Sequence, residues 1–374
     1  MTIAIPNNNA FYTAINLWFQ QCTLNGNTLT ENTNATTVYT GQINVFATYG
    51  LISNWNVSSV TNMSSAFYKD NGDYHATTKA RIPFFNGNIS SWQTGAVINM
   101  SYMFSGASAF NQDVSSWDTH LVENMSFMFS GATKFNNGQT TNLGTKPFTT
   151  NVNVWNTIKV TNMTLMFNGA SAFNQDVSSW DTHLVEYMSG MFSGAILFNN
   201  GDTTNLGENP FTTNVNVWNT IKVINMSHMF YGASAFNQDV SSWDTRAVII
   251  MSGMFSGARV FNQDISSWDT RAVINMSGMF YEATLYNGLG IYKWKLLKPT
   301  IYGMFLDSDV PGKANDSLIC KEWQQKYNYT NAELSEAGLT LYGKTAVAKQ
   351  LQYNGGVVTF TLVKKTEKSG KVFV

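Results

Sequence analysis

Tryptophan recurs in this chain at a spacing that fixes what it can become. Trp55, Trp92, Trp117, Trp155, Trp180, Trp218, Trp243, Trp268 and Trp294 are separated by 37, 25, 38, 25, 38, 25, 25 and 26 residues. The basic period is 25, and three intervals carry 12 or 13 extra residues. Long and short turns alternate through the middle of the array, so a super-repeat of 63 runs from Trp117 to Trp180 and from Trp155 to Trp218. A fixed period between about 20 and 50 residues marks units that bury their apolar faces against each other. Such an array grows along one axis, so a chain of 374 residues needs no second core.

The other columns keep step with tryptophan. Around Trp117, Val122 follows by five residues, Met125 by eight and Phe129 by twelve, and each recurs in the neighbouring turns. Seven residues before tryptophan stand Phe85, Phe110, Phe148, Phe173, Phe211, Phe236 and Phe261. Columns this apolar belong inside, with methionine filling the gaps between aromatic rings. The Met–Phe stretch spaces its apolar residues like a short helix, and Gly106, Gly131, Gly169 and their equivalents stand where a helix end takes glycine. The Asp-Val-Ser-Ser-Trp stretch reads as a short strand. The expected fold is therefore an α/β repeat solenoid, leucine-rich-repeat-like, of about nine turns. Short parallel strands form one wall, helical turns another, and both ends are capped. The boundaries are 1–45 for an N-terminal helical cap, 46–305 for the array and 306–374 for a C-terminal segment.

Composition narrows the function classes. Apolar residues make up 44% and aromatics 14%, ample for a core, while charged residues are only 12%. A net charge of −1 gives no field to gather nucleic acid or an anionic membrane. No apolar run approaches the ~18 residues of a membrane span, and the stretch MTIAIPNNNAFYTA lacks the features of a secretory signal. Cys22 and Cys320 flank the array and are expected to be buried, unpaired thiols. The basic residues crowd toward the end, with 12 of 22 in the last 82 positions.

The residues FNQDVSSWDT followed by VxNMSxMFxGA resemble the BspA-like leucine-rich repeats, over about residues 40–305. More narrowly, they resemble the variant found in mycoplasma lipoprotein-type surface proteins and also in protists, algae and large DNA viruses. That resemblance implies a non-enzymatic leucine-rich-repeat array at a cell or particle surface, often linked to adhesion.

The polar columns read first as architecture. Asn111, Asn174, Asn237 and their equivalents follow an aromatic residue, and such a column hydrogen-bonds the backbone of adjoining turns. Two further columns alternate Asp with Asn, which relieves repulsion between stacked carboxylates. Asp239/Asp264 and Asp244/Asp269 break the alternation; solvated carboxylates are expected there, with a bound cation as the alternative. Together with Trp117, Val122, Met125, Phe129, Trp180 and Trp243, the asparagines form the expected structural ladder.

What differs between turns is freer to act. The insertions Asn137–Pro147 and Asn200–Pro210 are nearly identical, and a third near Asp70–Pro83 has diverged. All three are expected at one phase, projecting from one edge as a partner-binding surface. Its residues are Lys79, Arg81, Thr140, Thr141, Asn142, Lys146, Thr203, Thr204, Asn205 and Glu208. At the N-terminus, Ala10–Gln21 reads as a capping helix; near the other end, Asp316–Tyr327 and Asn331–Gly338 read as two helices. Val357–Val363 and Lys371–Val374 read as a hairpin whose Lys364, Lys365, Lys368 and Lys371 make a docking tail.

No motif for catalysis, a cofactor or a metal appears; His120 and His183 share a phase two turns apart, too far to share an ion. The expectation is a non-enzymatic scaffold in a larger assembly such as a virion, where it is a minor capsid or capsid-surface protein. Its partners are neighbouring subunits or copies of itself. The alternative is a cell-surface adhesin that binds host protein or glycan through the insertion edge.

Overall fold

The structure is a computed structural model that describes residues 3–32, 42–139, 151–201, 214–310 and 314–339. Beyond these it describes only three strands, β3 (Val347–Ala348), β4 (Leu362–Lys365) and β5 (Val372–Phe373). From Asn62 to Thr300 the 25-residue units lie as rungs joined by parallel bridges: Asn62 to Asn99, Asn99 to Asn124, Asn124 to Asn162, then through Tyr187, Asn225, Ile250 and Asn275 to Thr300.

The bridges run through the Met–Phe stretch, which is not a helix. The amides of Met125, Phe127, Phe129 and Gly131 donate to the carbonyls of Asn162, Thr164, Met166 and Asn168 on the next rung, at 2.7–3.0 Å. Alternate residues thus face the neighbouring rung, as in a parallel ladder. Met128, Ser130 and Ala132 donate three residues back, closing successive tight turns. Left-handed backbone prevents a helix: φ is +58° at Phe127 and +72° at Gly131. Gly131 also stacks on Gly106, where an added Cβ would sit 3.6 Å from backbone.

The expected strand is likewise a turn. The carboxylate of Asp113 accepts the Ser115 amide at 2.9 Å, and Trp117 donates back to the Val114 carbonyl at 3.2 Å. In the long rungs the same corner is a 3-10 turn, Val152–Val154 and Val215–Val217. The side-chain acceptor at each corner offers the backbone a local bond, and that outweighs the β preference of valine.

Inside, the columns stack ring on ring. Phe129 and Phe135 lie face to face at 3.8 Å within their rung, and Phe129 meets Phe104 at 5.4 Å and Phe167 at 5.6 Å in adjoining rungs. Trp155 and Trp180 are parallel within 6° at 6.2 Å. In the long rungs the core phenylalanine is Phe135 or Phe198, whereas Phe148 and Phe211 lie outside the described residues. The insertions also do not share a phase. The first precedes its core Phe85, while the second and third follow the ladder residues Asn136 and Asn199.

At one position the aromatic column carries an oxygen. Tyr286 stacks on Phe280 at 3.9 Å, is fully buried, and its hydroxyl has no hydrogen-bond partner among the described residues. A buried unpaired hydroxyl costs about 1–3 kcal/mol. Tyr286→Phe is therefore expected to stabilise the chain by about 1–2 kcal/mol, read as a higher midpoint in urea unfolding; a lower midpoint would contradict this.

Both ends of the stack are covered. Helix α1 (Asn8–Gln21), capped by the Asn7 side chain, sets Phe11 against Trp92, Trp18 against Phe85 and Phe19 against Phe67. The Tyr12 hydroxyl donates to the Ser64 carbonyl at 2.7 Å and that of Tyr74 to the Ala66 carbonyl at 2.9 Å. First-rung acceptors are thereby occupied where no earlier rung exists. A small hairpin, β1 (Thr23–Asn25) and β2 (Thr28–Thr30), follows α1 and precedes the short helix α2 (Val45–Tyr49). At the far end α4 (Ala314–Tyr327) brings Trp323 against Phe305, and α5 (Asn331–Glu336) begins in a Thr330–Glu333 capping box. The last-rung amides of Gly303 and Phe305 donate to the carbonyls of Glu336 and Ala337, just as they would to another rung. Strand β4 pairs antiparallel with β3 and β5.

Cys22 and Cys320 are buried and form no disulfide with each other. Burial raises both above the ordinary thiol range, with Glu31 adding to it at Cys22 and Asp316 at Cys320, the latter to about 12. Neither should react with a water-soluble disulfide reagent in the native chain, and both should react in urea; rapid native labelling would contradict this burial.

Candidate interaction surface

The recurrent polar side chains are engaged between rungs. Each asparagine of the main column accepts the backbone amide of its successor: Asn111 accepts Asn136 at 2.8 Å, Asn136 accepts Asn174 at 3.0 Å and Asn174 accepts Asn199 at 2.8 Å. The chain of bonds continues through Asn237 and Asn262 to Asn287. From Trp92 to Trp294 each indole of the array donates to a carbonyl of the preceding rung, as Trp180 does to Val152 at 2.8 Å and Trp243 to Val215 at 2.8 Å. A threonine column adds a third set that reading by residue type missed. Thr119, Thr182 and Thr245 donate to the carbonyls of Asn156, Asn219 and Asp269 at 2.9 Å. Its signal in the sequence is an unbroken threonine two residues after tryptophan in seven turns.

The insertions are held firmly at their roots. Before the second one, Gly138 donates to the Asn111 side chain at 3.0 Å, and Asn137 accepts the Val114 amide at 2.8 Å. Gly201 and Asn200 repeat the pattern with Asn174 and Val177. On the return side, Asn153 bonds Asp176 at 3.1 Å and Asn216 bonds Asp239 at 2.8 Å. Thr140, Thr141, Asn142, Lys146, Thr203, Thr204, Asn205 and Glu208 lie outside the described residues, as do Lys368 and Lys371, while Lys364 and Lys365 are on β4.

The first insertion is different. It forms helix α3 (Ala76–Arg81) and packs on α1, with Thr78 bonded to Asn16 at 2.6 Å. The Arg81 guanidinium donates to the carbonyls of Phe19 and Cys22, so it ties down the N-terminal cap rather than standing free for a partner. Lys79 is partly buried on the same short helix.

Charge on the outer wall is paired within rungs. In four rungs an aspartate stands one residue after tryptophan, and its partner stands two further on. His120 meets Asp118 and His183 meets Asp181 at 2.7 Å, while Arg246 and Arg271 meet Asp244 and Asp269 at 2.5 Å. A hydrogen bond from the side chain two residues on, His120, Arg246 or Arg271, holds each of Asp118, Asp244 and Asp269 below the usual carboxylate range. At Asp181 partial burial acts upward, and the backbone and side-chain bonds from His183 outweigh it. Where the first residue is Asn156 or Asn219, the second is Ile158 or Ile221. Asp244 and Asp269 thus tolerate adjacency because each carries its own arginine. Asp239 and Asp264 border an open cavity of about 400 Å³ with Ser241, Gln263, Ser266 and Ser267. Among the described residues no three metal-binding side chains converge, and no helix is long and apolar enough to cross a membrane.

No curated protein matches this chain, and no solved structure does. A family model matches residues 13–146, 142–208 and 202–311, overlapping segments that together run from within α1 through the rungs. The chain belongs to the family described as Mycoplasma protein of unknown function, DUF285.

Proposed function

We propose that the chain is a BspA-like, leucine-rich-repeat-type solenoid acting as a non-enzymatic scaffold within a larger assembly. The observation that carries this reading is the commitment of the recurrent side chains. Asparagine, threonine and tryptophan bond rung to rung, and valine, methionine and phenylalanine fill the core. What remains to meet a partner is the outer wall, the insertions and the C-terminal strands. The low charge favours packing against protein over attraction of nucleic acid. We place the chain at the surface of a particle such as a virion. Mass spectrometry of purified particles from the encoding organism tests this: the chain should be present in fixed proportion, and its absence refutes the placement.

A second reading, a surface adhesin, is favoured by the rigid roots of the two like insertions. Rigid roots reduce the ordering cost of binding. Deleting 140–146 and 203–208 should then abolish binding to host cells while the thermal midpoint stays within a few degrees; undiminished binding would remove the insertions from the interface.

A further inference from the structure

The ladder between rungs has a direction, and at its far end one bond is missing. In rung after rung an amide donates to the bridge carbonyl of the following rung, from Met63 to Asn99 at 2.9 Å through to Met276 to Thr300 at 2.7 Å. Ile301 holds the same place in the last rung, directly after the bridge residue Thr300. It is only 4% exposed, and its amide has no acceptor among the described residues. The C-terminal cap serves the neighbouring positions. Tyr329 donates its hydroxyl to the Pro299 carbonyl at 2.7 Å, and the amides of Gly303 and Phe305 donate to Glu336 and Ala337 at 2.9 and 2.7 Å. Alternate residues of a ladder face the same neighbour, so the Ile301 amide also faces the cap. An acceptor position is thus left open between filled ones, where a backbone amide would ordinarily be paired.

A groove of about 370 Å³ lies at that position, between the last rung and α5. Lys298, Ile301, Tyr302, Tyr329, Glu333 and Glu336 line it. A carbonyl oxygen placed there relieves the cost of the unpaired amide. Charge says what else a ligand should carry. Lys298 sits 3.1 Å from Glu333 with its ammonium 5.6 Å from the Tyr329 ring, a cation held between a carboxylate and an aromatic face. Glu336 and Tyr302 bring a second carboxylate and a second ring to the groove, and Glu336 has no ion pair among the described residues. Tyr302 is 65% exposed, open to such a cation. An anionic ligand would meet two glutamates, and a simple amine would leave the Ile301 amide unpaired. A peptide bond beside a basic side chain satisfies both.

We propose that this groove binds a short extended peptide of a partner protein, with a main-chain carbonyl on the Ile301 amide and a lysine or arginine side chain against Glu336 and Tyr302. The segment extends the ladder as an added strand does at a sheet edge. The proposal rests on the scaffold reading and names the kind of partner the scaffold holds. The test is residue-resolved hydrogen exchange of the full chain with two blocked peptides, acetyl-Val-Lys-Val-amide and acetyl-Val-Glu-Val-amide. In the free chain the Ile301 amide should exchange about tenfold or more faster than those of Gly303 and Phe305. Saturating lysine peptide should slow Ile301 by about tenfold or more and leave Met276 unchanged. The glutamate peptide should bind about tenfold more weakly. Glu336→Lys should reverse that preference at an unchanged thermal midpoint, because its side chain is exposed. An Ile301 amide as protected as Gly303 in the free chain would mean that the chain's own residues fill the gap, and it overturns the proposal. So does a lysine peptide that leaves Ile301 exchange unaltered, or equal binding of the two peptides. None of these results bears on the presence of the chain in particles, so the scaffold reading is judged separately.

Discussion

Replacing Asn174 with alanine is expected to destabilise the chain by about 2–5 kcal/mol, far more than a typical surface asparagine. Its side-chain oxygen accepts two amides of the next rung, Asn199 at 2.8 Å and Gly201 at 3.0 Å. Asn174 and Asn199 are nearly fully buried, so water does not simply replace the lost acceptor. Each stranded amide costs about 1–3 kcal/mol. Asn262 provides the internal comparison. It sits exposed near the end of the column and, among the described residues, accepts Asn287 alone, at 3.1 Å. Asn262→Ala should cost about 1 kcal/mol. Urea unfolding of both variants measures the contrast, and equal small effects would mean that the column does not hold the rungs.

Trp180→Ala should be as severe, about 3–5 kcal/mol for loss of a large buried aromatic. The indole is parallel to Trp155 at 6.2 Å, contacts Phe167 at 6.2 Å and donates to the Val152 carbonyl at 2.8 Å. Each rung touches chiefly its neighbours, so damage at mid-array weakens the coupling between the two halves. Unfolding of the variant should therefore broaden or split into two steps. Trp180→Phe keeps a ring in the stack but leaves the Val152 carbonyl without its donor, for about 1–3 kcal/mol. A single sharp transition at the native midpoint for Trp180→Ala would contradict the account.

Much of this was legible in the sequence because stacking repeats identical side chains. Trp117, Val122, Met125 and Phe129 are all buried, as their columns foretold. The asparagine column bonds successive backbones, as its position after an aromatic residue implied. Local conformation was not legible, for two physical reasons. Periodicity of i, i+3 and i+4 reports which residues face inward, not the sign of φ, and Phe127 at +58° turns an apparent helix into a bridged turn. The β preference of Val114 likewise gave way to the bond between Asp113 and Ser115. Phe148 was misplaced because counting back from tryptophan assumes an insertion lies before the core phenylalanine. Phe135, stacked at 3.8 Å on Phe129, holds that place instead.

The outer wall was harder to read for a different reason. Aspartate alternating with asparagine was recognised, but the explanation lay two residues on. His120, His183, Arg246 and Arg271 each bond the preceding aspartate, while Ile158 and Ile221 accompany Asn156 and Asn219. Arg81 was misread because a cation in a polar loop looks free. Only the three-dimensional contacts place it against the carbonyls that end α1.

The recurrent polar residues of each rung act as architecture through a particular set of backbone amides. Those of Asn136, Asn174, Asn199 and Asn237 donate to the side chain of the preceding column asparagine, at 2.8–3.0 Å. Native-state hydrogen exchange resolved by residue isolates them. They should exchange only by global or sub-global unfolding, as slowly as the bridge amides of Met125 and Phe129, and Asn199 should speed up in Asn174→Ala. Exchange of these amides at the rate of an open loop, in the native chain, would contradict the ladder and with it the account of the rungs.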